Sequence, residues 1–143
     1  MEEVSQRVGQ VRVTAEEISV ESVAASVETP KAGAVVTFHG VVRNHDGGEG
    51  VSWIDYSAHP SAEEILADIV AQIAQIDGVH KVACVHRYGH LEVGETAMVA
   101  AVSASHRKSA FLAVSNLVDE VKLRLPVWKK QGFSDGSTAW SGI

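Results

Sequence analysis

Between residues 61 and 126 the hydrophobic period of the chain changes twice, from helical to strand and back, and this alternation limits the fold more than any other feature. In "SAEEILADIVAQIAQI" apolar side chains recur at helical spacing: Ile65, Ile69, Ile73 and Ile76, with Leu66 and Val70. Ser61 and Glu64, three residues apart just after Pro60, have the spacing of a capping box. Segments 79–87 and 96–104 read instead as strands on either side of the turn "YGHLEVGE". A second helical period runs from about 106 to 124, with Phe111, Val114, Leu117, Val118 and Val121 on one side. Pro126 stops it, because proline lacks the amide donor and clashes with the preceding turn.

The N-terminal part adds "VRVTAEEISVESVAASVETPKAG", a short strand followed by a helix that starts either at a Thr14–Glu17 capping box or at Ser19. "GAVVTFHGVVR" (33–43) and "VSWIDYSAH" (51–59) alternate in the manner of strands and suggest a hairpin around the mobile loop "NHDGGEG". Without a following Gly-Lys-Ser/Thr, that loop is not a phosphate-cradling P-loop. These elements predict an α+β sandwich with helices on one face of a largely antiparallel sheet. At 143 residues and 45% hydrophobic content, the chain is expected to form one domain, 1–143, with its own core.

The formal charge of -6 argues against a surface built to hold nucleic acid or anionic lipid by bulk attraction, so any anion site must be local. No apolar run approaches the roughly 20 residues that cross a bilayer. The start, "MEEVSQRVGQ", lacks the basic-then-apolar pattern of a signal peptide, and a cytoplasmic protein is expected. The single Cys84 lies in an alternating segment and reads as a buried thiol.

Local cations are present in two places. In "SASHRKSAF", Ser105 as N-cap would put His106, Arg107 and Lys108 in the first turn. There the helix dipole disfavours positive charge by a few tenths to about 1 kcal/mol each. Backbone N–H groups at a helix start attract anions, so these residues suit a phosphate or carboxylate; the plainer reading is a solvated turn reaching nearby acids. The stretch "LRLPVWKKQG" gathers Arg124, Lys129 and Lys130 around Trp128. Lys122 stands one residue past core Val121, and a reversal at Pro126 can bring Lys129 beside it. Two close ammonium groups, with partial burial by Trp128, would lower a lysine pKa toward the range of acid, base or nucleophile chemistry. Basic residues that merely complement the helix dipole are the alternative for Lys122. Arg43 ends a strand where it meets a loop, a common place for a site. His80, His86 and His90 lack zinc-site spacing, and no metal is expected.

In order and spacing, "TFHGVVRNH", "HRYGHLEVGE", "SASHRKSAF" and "KLRLPVWKKQG" resemble the large catalytic subunit of molybdopterin synthase, the MoaE family. The resemblance implies an α/β hammerhead fold and a homodimer within a heterotetramer. Two small ubiquitin-like subunits would each insert a Gly-Gly C-terminal tail, carried as a thiocarboxylate, into a pocket of the large subunit. It further implies sulfur transfer to cyclic pyranopterin monophosphate, in two rounds and without a cofactor, giving the molybdopterin dithiolene. Lys122 and Lys129 would be catalytic. Val41, Val42, Arg43, His106, Arg107, Lys130 and Gln131 would bind substrate, with the His-Arg pair coming from the neighbouring subunit and Lys130 facing solvent. Gln131 stands where relatives commonly have an acid; it can hydrogen-bond but cannot ionise. The rival from another class is a noncatalytic module for an anionic ligand or single-stranded nucleic acid. Trp128 would be its stacking platform and Arg124, Lys129 and Lys130 its backbone contacts.

Overall fold

The computed structural model describes residues 4–143; residues 1–3, part of the start read as lacking a leader pattern, lie outside the described residues. A 3-10 turn at Val4–Arg7 leads into strand β1 (Val8–Thr14), helix α1 (Val20–Ala25), β2 (Ala34–Val41), β3 (His45–Asp46) and β4 (Glu49–Ala58). Helix α2 (Ala62–Ile73), β5 (Val79–Arg87), β6 (Gly89–Glu92), β7 (Thr96–Ala104), α3 (Arg107–Arg124), β8 (Val127–Phe133) and β9 (Thr138–Gly142) complete the order. The first sheet runs β1-β5-β7-β2, with β1 parallel to β5 and the other pairs antiparallel. The second runs β3-β4-β8-β9, with β6 also on β4, all antiparallel. The expected α+β class and mostly antiparallel pairing hold. Among the described residues no helix is long and apolar enough to cross a membrane.

The main core fills the space between one face of the first sheet and helices α2 and α3. Val82, Cys84, Met98, Ala100 and Val102 meet Leu66, Ile69 and Val70 of α2 and Val114, Leu117 and Val121 of α3. Burial pushes the Cys84 thiol up to about 12, so it stays protonated. The expectation of helices on one face needs correction: Val23 of α1 and Val27 just beyond it cover Ala83, Val85, Val99 and Ala101 on the opposite face. Strands β5 and β7 are therefore buried on both sides, which is why their sequences are nearly continuous apolar runs.

Nor do residues 33–43 and 51–59 form a hairpin. Strand β2 pairs with β7, whereas β4 pairs with β6 and β8 in the other sheet. The intervening loop is itself a tight hairpin, His45–Asp46 against Glu49–Gly50. Gly47 (φ 57°) and Gly48 (φ 84°) close it in the left-handed region that such two-residue turns require. At the helix starts, Ser19 caps α1 by accepting the Ser22 N–H, while the Ser61 hydroxyl engages His59 Nδ1 and leaves α2 without a side-chain cap. On α3, Phe111 is 61% exposed, and alanines 110 and 113 take the core-side positions beside Val114 and Leu117. After Pro126 the chain re-enters as strands β8 and β9, which the sequence reading did not anticipate.

Candidate active site where the two sheets meet

A small apolar cluster of Val42, Val51, Ile54, Leu91 and Ala97 joins the second sheet to the ends of β2 and β7. Beside it opens a cavity of about 230 Å³, lined from β2, β4, β8 and the last turns of α3. Its walls divide by chemistry. Phe38, Val42, Ile54, Tyr56 and Met98 form an apolar side, and Arg43, Lys122 and Lys129 bring three cations to the same space.

Each cation is placed by local structure. Val42 donates its N–H to the Glu95 carbonyl at 2.9 Å and accepts from the Gly94 N–H at 2.8 Å, which fixes the backbone just before Arg43. Arg43 Nη2 lies 3.4 Å from Asp46 Oδ1. Such an exposed pair contributes little, so the guanidinium can exchange Asp46 for a ligand anion. Lys122, in the last turn of α3 next to buried Val121, donates to the main-chain carbonyl of Ile143 at 3.1 Å. Leu125 ends the helix and Pro126 turns the chain, so that Lys129 on β8 stands opposite Tyr56 of β4 and faces back to the same cavity. Burial holds the Lys129 ammonium below its usual pKa, with Lys122 and Arg43 adding to the effect and Asp46 opposing it.

The alternation of β8 separates what the sequence reading had grouped together. Trp128 and Lys130 point away from the cavity, Trp128 being 48% exposed and Lys130 Nζ lying 5.9 Å from the centre of the Trp140 ring. The burial of Lys129 therefore comes from the cavity walls and not from Trp128. Arg124 turns to Gln72 and Glu120. Of the set named for nucleic acid, Lys130 thus shares the Trp128 side of β8, while Lys129 faces the cavity on the other side and Arg124 is engaged by Gln72 and Glu120.

Of the remaining candidates, Val41 is half-exposed at the rim, Val42 is buried, and Gln131 is 6% exposed on the Lys129 face, opposite Ile54. His106 and Arg107 do not line the cavity. His106, in extended conformation, is itself the N-cap of α3, and the Ser105 hydroxyl instead meets His80 Nε2 at 2.8 Å. Arg107 opens the helix that Lys122 nearly closes, so about 22 Å of helix separates them within one chain.

His86 and Tyr56 were not singled out for this site. His86 continues the inward series Val82, Cys84 on β5 and packs its ring edge-on to Tyr56, 5.4 Å between centres at 75°. Burial takes its pKa down to about 4, with Lys122 contributing further, so the ring is neutral near neutral pH. The strand alternation carried the signal for its inward position.

A cavity with one apolar wall and one cationic wall suits an anionic ligand that also has apolar surface to bury. The family model described as MoaE protein matches residues 13–124. This chain belongs to the MoaE family. The MoaE relative from Bacillus subtilis, a molybdopterin synthase catalytic subunit, is 37% identical over 131 residues, covering 91% of this chain and 83% of that protein. Among solved structures, molybdopterin synthase from Staphylococcus aureus superposes with a TM-score of 0.84 at 33% identity, covering 92% of this chain and 96% of that one. The fold also recurs in the complex of subunits 1 and 2 of molybdopterin-converting factor from Helicobacter pylori. That likeness has a TM-score of 0.63 at 18% identity over 78% of this chain and 73% of that one.

Proposed function

We propose that this chain is the catalytic subunit of a cytoplasmic molybdopterin synthase. It transfers sulfur from the thiocarboxylated C-terminus of a small ubiquitin-like subunit to cyclic pyranopterin monophosphate. The observation that carries this reading is the convergence of Arg43, Lys122 and Lys129 on one cavity, with Lys129 held below the usual lysine pKa. Donor and acceptor are both anionic. Fixed cations offset their repulsion and hold sulfur near the accepting carbons, a gain that comes from positioning and preorganised charge. A lysine shifted toward neutrality can also move a proton during C–S bond formation. In this reading Lys122 and Lys129 are catalytic, and Arg43, Val41, Val42 and Gln131 line the substrate site. Lys130 faces away from the cavity in this chain and is the natural control.

His106 and Arg107 reach substrate from a second copy of the chain, because α3 holds them about 22 Å from their own Lys122. Each working site then needs two copies, and a small subunit completes it from outside. The test mixes the purified chain with a thiocarboxylated small subunit and the cyclic pterin. Dithiolene product is expected; a chain that binds both and forms none would refute the assignment. If Arg107→Ala and Lys122→Ala are each inactive, verified mixed dimers should regain up to one working site. Failure to recover would rule out a shared site.

A further inference from the structure

His86 is a buried side chain on the cavity wall that the chemistry above leaves unused. Its Nδ1 lies 2.8 Å from the Arg87 carbonyl, an oxygen that only accepts, so the proton sits on Nδ1 and Nε2 carries the lone pair. Among the described residues Nε2 has no hydrogen-bond partner, yet no enclosed side-chain nitrogen or oxygen is left unsatisfied, so Nε2 is open to the cavity. The Tyr56 ring packed edge-on against the imidazole holds that orientation. An acceptor this nearly buried is ordinarily satisfied by water or by a ligand.

What it accepts from follows from its charge. The ring is neutral near neutral pH, and a lone pair facing the cavity repels groups that only accept. Phosphate oxygens and a thiocarboxylate are such groups, and Arg43, Lys122 and Lys129 already serve them. Resting on the proposed function, we infer that His86 is a specificity-determining residue: its Nε2 accepts a hydrogen bond from an N–H of the pterin ring system. The heterocycle is thereby seated against Tyr56 and its phosphate directed to the cations. Sequence spacing alone does not reveal this role, because Tyr56 and Lys122 come from different elements.

Two variants separate Nε2 from the rest of the ring. His86→Asn keeps an N–H for the Arg87 carbonyl and places nothing at Nε2, whereas His86→Gln can put an amide oxygen near that position. Calorimetric titration of the dimer with cyclic pyranopterin monophosphate should show affinity falling at least about tenfold for His86→Asn and staying within about threefold of the parent for His86→Gln. Affinity for inorganic phosphate should be the same in all three. In the parent, the nitrogen NMR signal of the unprotonated Nε2 should move when the pterin is added and not when phosphate is added. Parent-like pterin affinity in His86→Asn, or an Nε2 signal indifferent to the pterin, overturns this inference alone. A parent that takes up no pterin overturns the proposed function and this inference with it.

Discussion

Gly132 of β8 lies opposite Trp53 of β4, and the indole covers it. A Cβ placed there would be 2.0 Å from Trp53 Cε2 and 2.4 Å from both Cζ2 and Nε1. Carbon atoms in contact normally sit about 3.5–4.0 Å apart, so the ring or the strand must yield by about 1.5 Å in Gly132→Ala. Overpacking on this scale costs about 1–3 kcal/mol, against the small gain alanine brings as a better strand residue than glycine. For a domain of this length that lowers Tm by about 2–4 °C per kcal/mol. The deciding measurement is a double-mutant cycle followed by thermal unfolding. In a Trp53→Ala background these three closest contacts are gone, and most of the cost should vanish. Gln131 and Lys129 lie just upstream on the same strand, so Gly132→Ala should also lower sulfur transfer if β8 is the part that moves. An unchanged Tm, or an equal loss with and without Trp53, would refute the argument.

Lys122→Ala and Lys129→Ala should each leave Tm near the parent's and lower single-turnover sulfur transfer at least about 100-fold, while Lys130→Ala keeps most activity. Arginine at 122 or 129 should not restore turnover, since guanidinium cannot deprotonate and differs in shape. Arg43→Ala should weaken binding of the cyclic pterin by roughly 1.5–3 kcal/mol, read by calorimetry, without unfolding the domain. Because the folded-state pKa of Lys129 is depressed, the unfolded chain holds more protons between that value and the ordinary lysine pKa. Stability should therefore rise with pH through that window, and urea titrations of Lys129→Met across the same range should show a smaller rise.

What the sequence made legible was local. The strands at 79–87 and 96–104 and the helix preceding Pro126 follow from period and proline chemistry, and the structure has them at nearly those bounds. Strand partners were not legible, because pairing joins distant residues: β2 found β7 and β4 found β8, although both read as halves of one hairpin. The start of α3 moved by one residue because the Ser105 hydroxyl is taken by His80, a partner 25 positions away. The reversal that brings Lys129 toward Lys122 followed from Pro126. The role first given to Trp128 did not hold, because the segment after Pro126 was not read as a strand and its alternation sends that ring outward. His86 needed Tyr56, from another strand, before its place on the cavity became visible.

The small cluster joining the two sheets has a consequence for how the protein fails under stress. The first sheet is braced on both faces by helices, while the second is held through Val42, Val51, Ile54, Leu91 and Ala97, reaches the main core only where Val127, Tyr56 and Ala58 meet its edge, and ends in the wholly exposed β9. Local opening at such a joint needs less free energy than global unfolding, so amide hydrogens of β4 and β8 should exchange sooner than those of β5 and β7. The cavity straddles this joint and draws its cations from both sides of it. Warming should silence the chemistry while the helices still stand, and a melting curve followed by helical signal would overstate the temperature at which the molecule still works.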